Sequence, residues 1–237
     1  MCSNIYIKMK KIVILSLGGS LIVPGKINIV YLEQFRKILL KNKKKHRFVI
    51  VCGGGKTART YINGLGHEDS RKKEHFQTLL GISATRLNAR FLTYFFGEDA
   101  NKGMPNDMKD VKNLLEKNDM VFCGALRYAD NQTSDGTAAK LARFFDCDFI
   151  NLTDVHGLYD KNPKKYRNAK FIPKISHKEF LKRAKKIEFS PGQHFVLDQT
   201  AAKTIKKYNI RTFILGEDLK NLDKLLNGKH FVGTVIE

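Results

Sequence analysis

The sequence predicts an α/β fold with a mainly parallel central sheet. Three short apolar runs, at residues 11–17, 48–51 and 120–123, have the composition of strands buried on both faces of such a sheet. Each run is followed within two residues by glycine, and segments with helical spacing of apolar residues separate them. Ligands of open α/β sheets bind beyond the carboxyl ends of the strands, so we expect the three glycine turns to border one site.

In the first half of the chain, a helix is predicted over residues 29–41, because Tyr31, Phe35 and Leu39 fall on one stripe. The second glycine turn leads into a helix over 57–65. A third helix, over 72–96, is predicted to pack one face into the core, and a short one follows over 111–117 after a loop. The long helix is identified by the spacing of its apolar residues Phe76, Leu79, Leu80, Leu87, Phe91 and Phe95.

In the second half, a polar loop over 125–132 precedes a helix over 137–145, with Ser134 as a candidate N-cap. A fourth strand is predicted over 149–152 and a lysine-rich loop over 160–170. Ser176 and Glu179 form a capping-box pattern for a helix reaching 186. The segment 189–197 is expected to be irregular, and the remaining pattern predicts helices over 198–208 and 219–226 and strands over 210–215 and 232–236.

Length and composition predict a globular protein. The chain has 237 residues and 42% hydrophobic content, and it contains no apolar run near the roughly 20 residues of a membrane span. The lysines before residue 12 and the apolar run over 12–23 resemble a signal peptide. However, glycines interrupt this run, and the pattern of a strand followed by glycine returns at residue 48. We therefore expect a disordered extension over 1–9, with Met1 or Met9 as the start, and a single domain over 10–237.

The net charge of +20 is spread over lysine-rich segments without interleaved aromatic residues. This distribution is typical of solvated helix faces, so no nucleic-acid partner is predicted, although a general attraction for nucleotides remains. The four cysteines, Cys2, Cys52, Cys123 and Cys147, lack metal-ligand spacing. Reduced thiols in the cytoplasm are the expectation.

Residues 48–59 form the most informative stretch, because a buried strand runs into Gly53, Gly54 and Gly55 and then into a helix. Glycines let backbone N–H groups approach an anion, and the helix N-terminus adds partial positive charge. A Walker A motif is rejected, since Ile50 stands where that motif needs glycine. A dinucleotide fingerprint is also rejected, because Glu74 lies in a helical segment. A turn without a ligand remains the alternative.

Seven segments together resemble the amino acid kinase superfamily, and within it the archaeal type of UMP kinase. They are residues 14–20, 51–59, 81–89, 133–142, 151–176, 197–203 and 233–236. The resemblance implies a three-layer α/β/α sandwich with a mainly parallel sheet, assembly into homohexamers, and transfer of the γ-phosphoryl group of ATP to UMP with Mg²⁺.

The same resemblance implies roles for individual residues. Arg59, Asp135 and Asp198 would belong to the reaction centre, and no side chain is assigned as a metal ligand. Residues that would bind ATP are Gly18, Gly19, Ser20, Gly55, Arg59, Thr153, Asp154, Tyr159 and Asn162. Residues that would bind UMP are Gly54, Thr78, Gly124, Thr133 and Ser134.

Several positions depart from the family pattern, including Asp154, His156 and Asn162 in the segment predicted to bind ATP, and two others affect the expected chemistry directly. Ser16 stands where many members have lysine, so a catalytic cation would come from Lys56, Lys161 or a lysine near Phe189. Thr78 stands where an aspartate usually binds the acceptor ribose. Two alternatives stay open: a kinase of another phosphorylated acceptor, such as isopentenyl phosphate, and a non-catalytic binder of nucleotides or oxyanions.

Overall fold

The computed structural model describes residues 10–67, 72–127, 133–186 and 196–237. The strands are β1 (Lys11–Leu17), β2 (His46–Cys52), β3 (Met120–Cys123), β4 (Phe149–Leu152), β5 (Leu158–Tyr159), β6 (Phe171–Ile172), β7 (Lys174–Ile175), β8 (Thr212–Leu215) and β9 (Thr234–Ile236). The α-helices are α1 (Gly19–Ile22), α2 (Ile29–Asn42), α3 (Gly55–Gly64), α4 (Lys73–Phe96), α5 (Met108–Lys117), α6 (Ser134–Phe145), α7 (His177–Lys185), α8 (Gln199–Tyr208) and α9 (Leu219–Leu226).

The central sheet has the strand order β3-β2-β1-β4-β8-β9-β7. The first five of these strands are mutually parallel, β9 is antiparallel to β8, and β7 is parallel to β9. From β1 the chain adds β2 and β3 on one side and then crosses to add β4 and β8 on the other. The order reverses between β1 and β4, which is where a sheet of this type forms a ligand crevice.

Side chains of the sheet alternate between two cores. Leu15 and Leu17 of β1 pack on one face with residues of α2, α4 and α9. Ile14 packs on the opposite face with residues of α5, α6, α7 and α8. The predicted three-layer α/β/α sandwich with a mainly parallel sheet is therefore confirmed.

Two helices begin three residues earlier than predicted, because the capping side chains lie further upstream. The Asp107 carboxylate accepts a hydrogen bond from the Asp110 backbone nitrogen at 2.9 Å, so α5 begins at Met108. Thr133, rather than Ser134, is the N-cap of α6. The other predicted boundaries lie within two residues of the observed ones, while α1, β5, β6 and β7 were not predicted.

The long helix α4 is confirmed, but the prediction of its buried face was partly wrong. Phe91 and Phe95 pack against the core, whereas Phe76, Leu79 and Leu87 are exposed. The face of α4 next to the sheet is instead formed by small and polar residues together with two large ones: Ala84, Thr85, Asn88, Ala89, Leu92, Thr93 and Phe96. The small side chains let the helix approach β2 and β3 closely.

The predicted extension over 1–9 lies outside the described residues, as do most of the loop 125–132 and most of the segment 189–197. Across the described ranges, no helix combines the length and the hydrophobicity that crossing a membrane requires.

Candidate functional site

A cavity of about 810 Å³ opens beyond the carboxyl ends of β1, β2 and β4. It lies at the reversal of strand order, where the fold predicts a ligand crevice. The cavity is lined by these residues predicted from the sequence: Gly18, Gly19, Ser20, Gly54, Gly55, Arg59, Thr78, Thr133, Ser134, Asp135, Thr153, Asp154, Tyr159, Asn162 and Asp198.

Gly124 is the one predicted site residue that does not line this cavity. A methyl group on Gly124 would lie 2.6 Å from the Arg86 backbone nitrogen, so this glycine lets the turn after β3 pack directly against α4. The neighbouring Ala125 does line the cavity, and its backbone nitrogen donates to Thr85 Oγ1 at 2.9 Å.

The turns after β1 and β2 pack against each other through bare backbone. A methyl group on Gly19 would overlap the Gly55 nitrogen, and one on Gly53 would overlap the Gly19 nitrogen. Gly55 also has a φ of +61°, which other residues rarely adopt. The Gly53 nitrogen donates to the Leu17 carbonyl at 2.9 Å, which ties the second turn to the end of β1.

Asn88 of α4 supports the second turn from behind. Its side-chain nitrogen donates to the Gly53 carbonyl at 2.8 Å and to the Gly54 carbonyl at 3.2 Å, and the residue is buried. Gly54 is also the N-cap of α3, and it has no side chain to satisfy the first N–H groups of the helix. The Lys56 nitrogen donates to the Val23 carbonyl at 2.9 Å, and no side chain caps the helix. A helix N-terminus without a side-chain cap beside a cavity is a favourable position for a phosphate group.

Arg59 lies on α3, one helical turn beyond Gly55, and it lines the cavity. Within the described part of the chain, its guanidinium forms no hydrogen bond and no ion pair. A half-buried guanidinium without a protein partner is available to hold a phosphate through two parallel hydrogen bonds.

Asp198 joins the N-termini of two helices. One carboxylate oxygen accepts a hydrogen bond from the Ala201 backbone nitrogen at 2.7 Å and thereby caps α8. The other accepts from the Gly136 backbone nitrogen of α6 at 3.2 Å and from the Thr133 hydroxyl. Both oxygens of Asp198 are therefore engaged in positioning the polypeptide.

Asp135 lies beside Asp198, and no cation of the described residues compensates its charge. Burial raises the pKa of Asp135 to about 7, and the negative charge of Asp198 acts in the same direction. A hydrogen bond from the Ser16 hydroxyl to Asp135 Oδ1, at 2.7 Å, opposes this shift. The residue that stands in place of the family lysine thus contacts the buried acid directly.

The lysine-rich loop forms the opposite wall of the cavity, where Lys161, Lys164 and Lys165 contribute to the lining. The antiparallel strands β5 and β6 close this loop, and Lys164 forms an ion pair with Asp154. Of the candidate cations, Lys161 lines the cavity, Lys56 is exposed and does not, and the segment around Phe189 lies outside the described residues.

Several lining residues were not predicted. They include Ile62 of α3, the α4 residues Gln77, Gly81, Ile82 and Thr85, and Asn151 of β4. Their exposure to the cavity depends on how α3 packs against α4, which local periodicity does not reveal. The described residues contain no group of three or more histidine, cysteine, aspartate or glutamate side chains arranged to bind a metal ion.

Comparison with known proteins gives consistent matches over nearly the whole chain. The model of the amino acid kinase family matches residues 11–216. A uridylate kinase from Thermoplasma volcanium is 35% identical over 233 residues, which cover 97% of this chain and 99% of the relative. One from Methanothermobacter thermautotrophicus is 32% identical over 229 residues, covering 94% of this chain and 98% of the relative.

Solved structures give the same result. The crystal structure of uridylate kinase from Archaeoglobus fulgidus superimposes with a TM-score of 0.81 at 33% identity, and the match covers 97% of this chain and 100% of that one. UMP kinase from Ureaplasma parvum superimposes with a TM-score of 0.76 at 20% identity over 97% and 99% of the two chains, a likeness of fold.

We expect Gly19→Ala to destabilise the chain and to weaken ATP binding. The added methyl group must displace the backbone of the second turn, which we expect to lower the free energy of unfolding by about 1–3 kcal/mol. We expect the affinity for ATP to fall by at least about tenfold, or roughly 1.4 kcal/mol. Urea unfolding and calorimetric titration measure the two effects. Gly25→Ala is the matched control, because nothing lies within 4 Å of its added methyl group; equal behaviour of the two variants would contradict the turn-to-turn contact.

We expect Asp135→Asn to become more stable relative to the wild type as the pH rises. The pKa of Asp135 in the folded chain, about 7, exceeds the roughly 3.9 of an unfolded aspartate. The contribution of this bound proton to the free energy of unfolding is therefore fully present below about pH 4 and is lost as the pH rises through 7.

Asparagine can still accept the Ser16 hydrogen bond and carries no charge. The free energy of unfolding of Asp135→Asn, relative to that of the wild type, should therefore rise by about 2–3 kcal/mol between about pH 5 and pH 8. Urea unfolding at the two pH values measures it. Asp146→Asn, which removes an exposed carboxylate, is the control. A parallel pH dependence of the wild type and Asp135→Asn would show that Asp135 does not titrate as described.

Proposed function

Because this chain belongs to the amino acid kinase family and uridylate kinases match it over nearly its whole length, we propose that it acts as a UMP kinase. It transfers the γ-phosphoryl group of ATP to UMP and yields UDP and ADP for pyrimidine nucleotide synthesis. The family resemblance predicted from the sequence is confirmed. The proposed reaction rests on the Arg59 guanidinium, which has no partner among the described residues and lies beside two glycine turns in one cavity.

Two phosphorylated substrates can meet at these turns. The first turn, with Gly18, Gly19 and Ser20, would hold the phosphates of ATP, and Gly54 with Arg59 would hold the phosphate of UMP. Phosphoryl transfer requires alignment and electrostatic stabilisation more than covalent help from the protein. The direct backbone contact between the turns supports this arrangement, because it fixes the distance between donor and acceptor.

The carboxylates of Asp135 and Asp198 do not need to act as bases in this reaction. A phosphate monoester has a second pKa near 6, so the acceptor oxygen is already largely deprotonated at neutral pH. Asp198 instead holds the N-termini of α6 and α8 together through the Gly136 and Ala201 nitrogens. Asp135, which lines the cavity next to Ser16, would face the reacting phosphates.

Mg²⁺ is the expected metal, and it would accompany ATP. When bound, Mg²⁺ would supply positive charge that offsets the charge of the phosphates during transfer. It is commonly held by one or two carboxylates together with substrate phosphates and water. The residues fit this mode: both oxygens of Asp198 already accept hydrogen bonds, so Asp135 is the side chain that would hold the ion. Negative charge on Asp135 would be favoured once the cation is present.

We also propose that the chain assembles into a homohexamer and acts in the cytoplasm. Exposed apolar side chains on α3 and α4, including Tyr61, Leu87 and Tyr94, support a subunit interface on that face. Cys52, Cys123 and Cys147 are unpaired, in keeping with a reducing compartment.

We expect UMP to be the preferred acceptor in a coupled ADP-release assay across UMP, CMP, dTMP and isopentenyl phosphate. Polar groups of Thr133, Ser134 and Gln77 line the cavity and suit a nucleoside better than a hydrocarbon chain. Turnover confined to isopentenyl phosphate would overturn the assignment to UMP. ATP binding without turnover of any acceptor would favour the non-catalytic alternative.

We expect Arg59→Ala to weaken UMP binding and turnover by about 2 kcal/mol or more, the typical value of a lost charge-assisted contact. Initial rates over a range of UMP concentrations measure kcat and KM. Arg59→Lys should recover part of the loss, because it restores the charge without the planar fork. The control is Arg143→Ala on the exposed face of α6. Unchanged kinetics in Arg59→Ala would remove this residue from the site.

A further inference from the structure

The wall between α3 and α4 borders the same end of the cavity as Arg59. Ile62 of α3 and Gln77, Thr78 and Gly81 of α4 line the cavity there. If Arg59 holds the acceptor phosphate, these neighbouring side chains are positioned to contact the sugar that follows it. Apart from Arg59, the described residues of this wall are uncharged, so their discrimination between acceptors depends on neutral hydrogen bonds and shape.

Thr78 offers a neutral oxygen at this wall in place of a carboxylate. Its hydroxyl donates to the Glu74 carbonyl one turn earlier in α4, at 2.8 Å. A hydroxyl whose proton is used in this way is held against its own helix. The lone pairs of this oxygen can still accept a hydrogen bond, but the oxygen is neutral, so Thr78 would bind a ribose hydroxyl more weakly than the aspartate that the resemblance places here.

Gln77, the preceding residue, is better placed. Its side-chain nitrogen donates to the Ile62 carbonyl of α3 at 3.0 Å, so the side chain bridges the two helices. Because a carbonyl can only accept, this bond determines which end of the amide is nitrogen and which is oxygen. No described residue donates a hydrogen bond to the Gln77 oxygen.

Gly81 leaves open space on the same wall of the cavity. It lies four residues after Gln77 and therefore on the same face of α4. A methyl group on Gly81 would meet only Ile62 Cδ1, at 3.5 Å. The wall thus presents an open surface with a fixed hydrogen-bond acceptor at its edge.

We propose that Gln77 is a specificity-determining residue whose side-chain oxygen accepts a hydrogen bond from a ribose hydroxyl of the acceptor nucleotide. The inference rests on the proposed function and deepens it. Ribose hydroxyls are donors, so they complement a neutral acceptor oxygen. A deoxynucleotide leaves that oxygen without a partner and is therefore bound less tightly.

The test is calorimetric binding of UMP and of its 2′-deoxy and 3′-deoxy analogues to the full-length chain. The wild type should prefer UMP over at least one analogue by roughly three- to tenfold, the range for one neutral hydrogen bond. Gln77→Met, which keeps the length of the side chain, should lose this preference mainly by weakening UMP binding. Gln34→Ala, on the exposed side of α2, is the control and should match the wild type.

Gln77→Glu separates the acceptor role from the bridge to α3. Glutamate keeps an acceptor oxygen but cannot donate to the Ile62 carbonyl, so it should retain the preference for UMP. The inference is overturned if Gln77→Met keeps the preference, or if Gln77→Glu loses it as Met does, which would show that only the helix bridge matters.

Measuring binding keeps this inference distinct from the kinase proposal. If the wild type binds UMP without turning it over, the proposed activity is wrong. The binding data for the Gln77 variants would still test the contact with the ribose. If the wild type binds none of the three nucleotides, both the inference and the proposed function are overturned.

Discussion

At the centre of this molecule, the turn after β1 and the turn after β2 meet with no side chain between them. Gly19 and Gly53 approach so closely that neither position has room for a methyl group. The parallel pairing of β1 with β2 brings the two turns together, and Asn88 holds the second from behind. The distance between the two proposed phosphate sites is therefore determined by close backbone packing.

A second consequence of the sequence is that, among the described residues, the floor of the cavity carries two partly buried aspartates, Asp135 and Asp198, and no lysine. The Ser16 hydroxyl donates a hydrogen bond to Asp135 but supplies no positive charge to balance the carboxylate. The two oxygens of Asp198 accept hydrogen bonds from the N-termini of α6 and α8 and so join these helices. Positive charge reaches the cavity from its walls instead, through Arg59 and Lys161. A metal ion that arrives with the nucleotide would complete this charge balance.

The sequence was sufficient to predict most of the fold, because buried strands followed by glycine have a strong local signature. It also predicted most of the cavity, since strand ends converge in any sheet of this type. Helix starts were less accurate where two polar residues competed as caps, as with Thr133 and Ser134. Gln77 was missed because its side chain borders the cavity only through the packing of α3 against α4, which depends on contacts distant in sequence.

The net charge of +20 and the lysines at the cavity wall have a bearing on selectivity. Such a field draws anions of every kind toward the entrance and accelerates their encounter with the protein, an effect that ions in solution screen. Because long-range steering does not distinguish one phosphorylated metabolite from another, it concentrates competitors as well as substrates. Discrimination must then come from short-range contacts that only the correct substrate can make. Other anions are rejected because they dissociate rapidly after they bind.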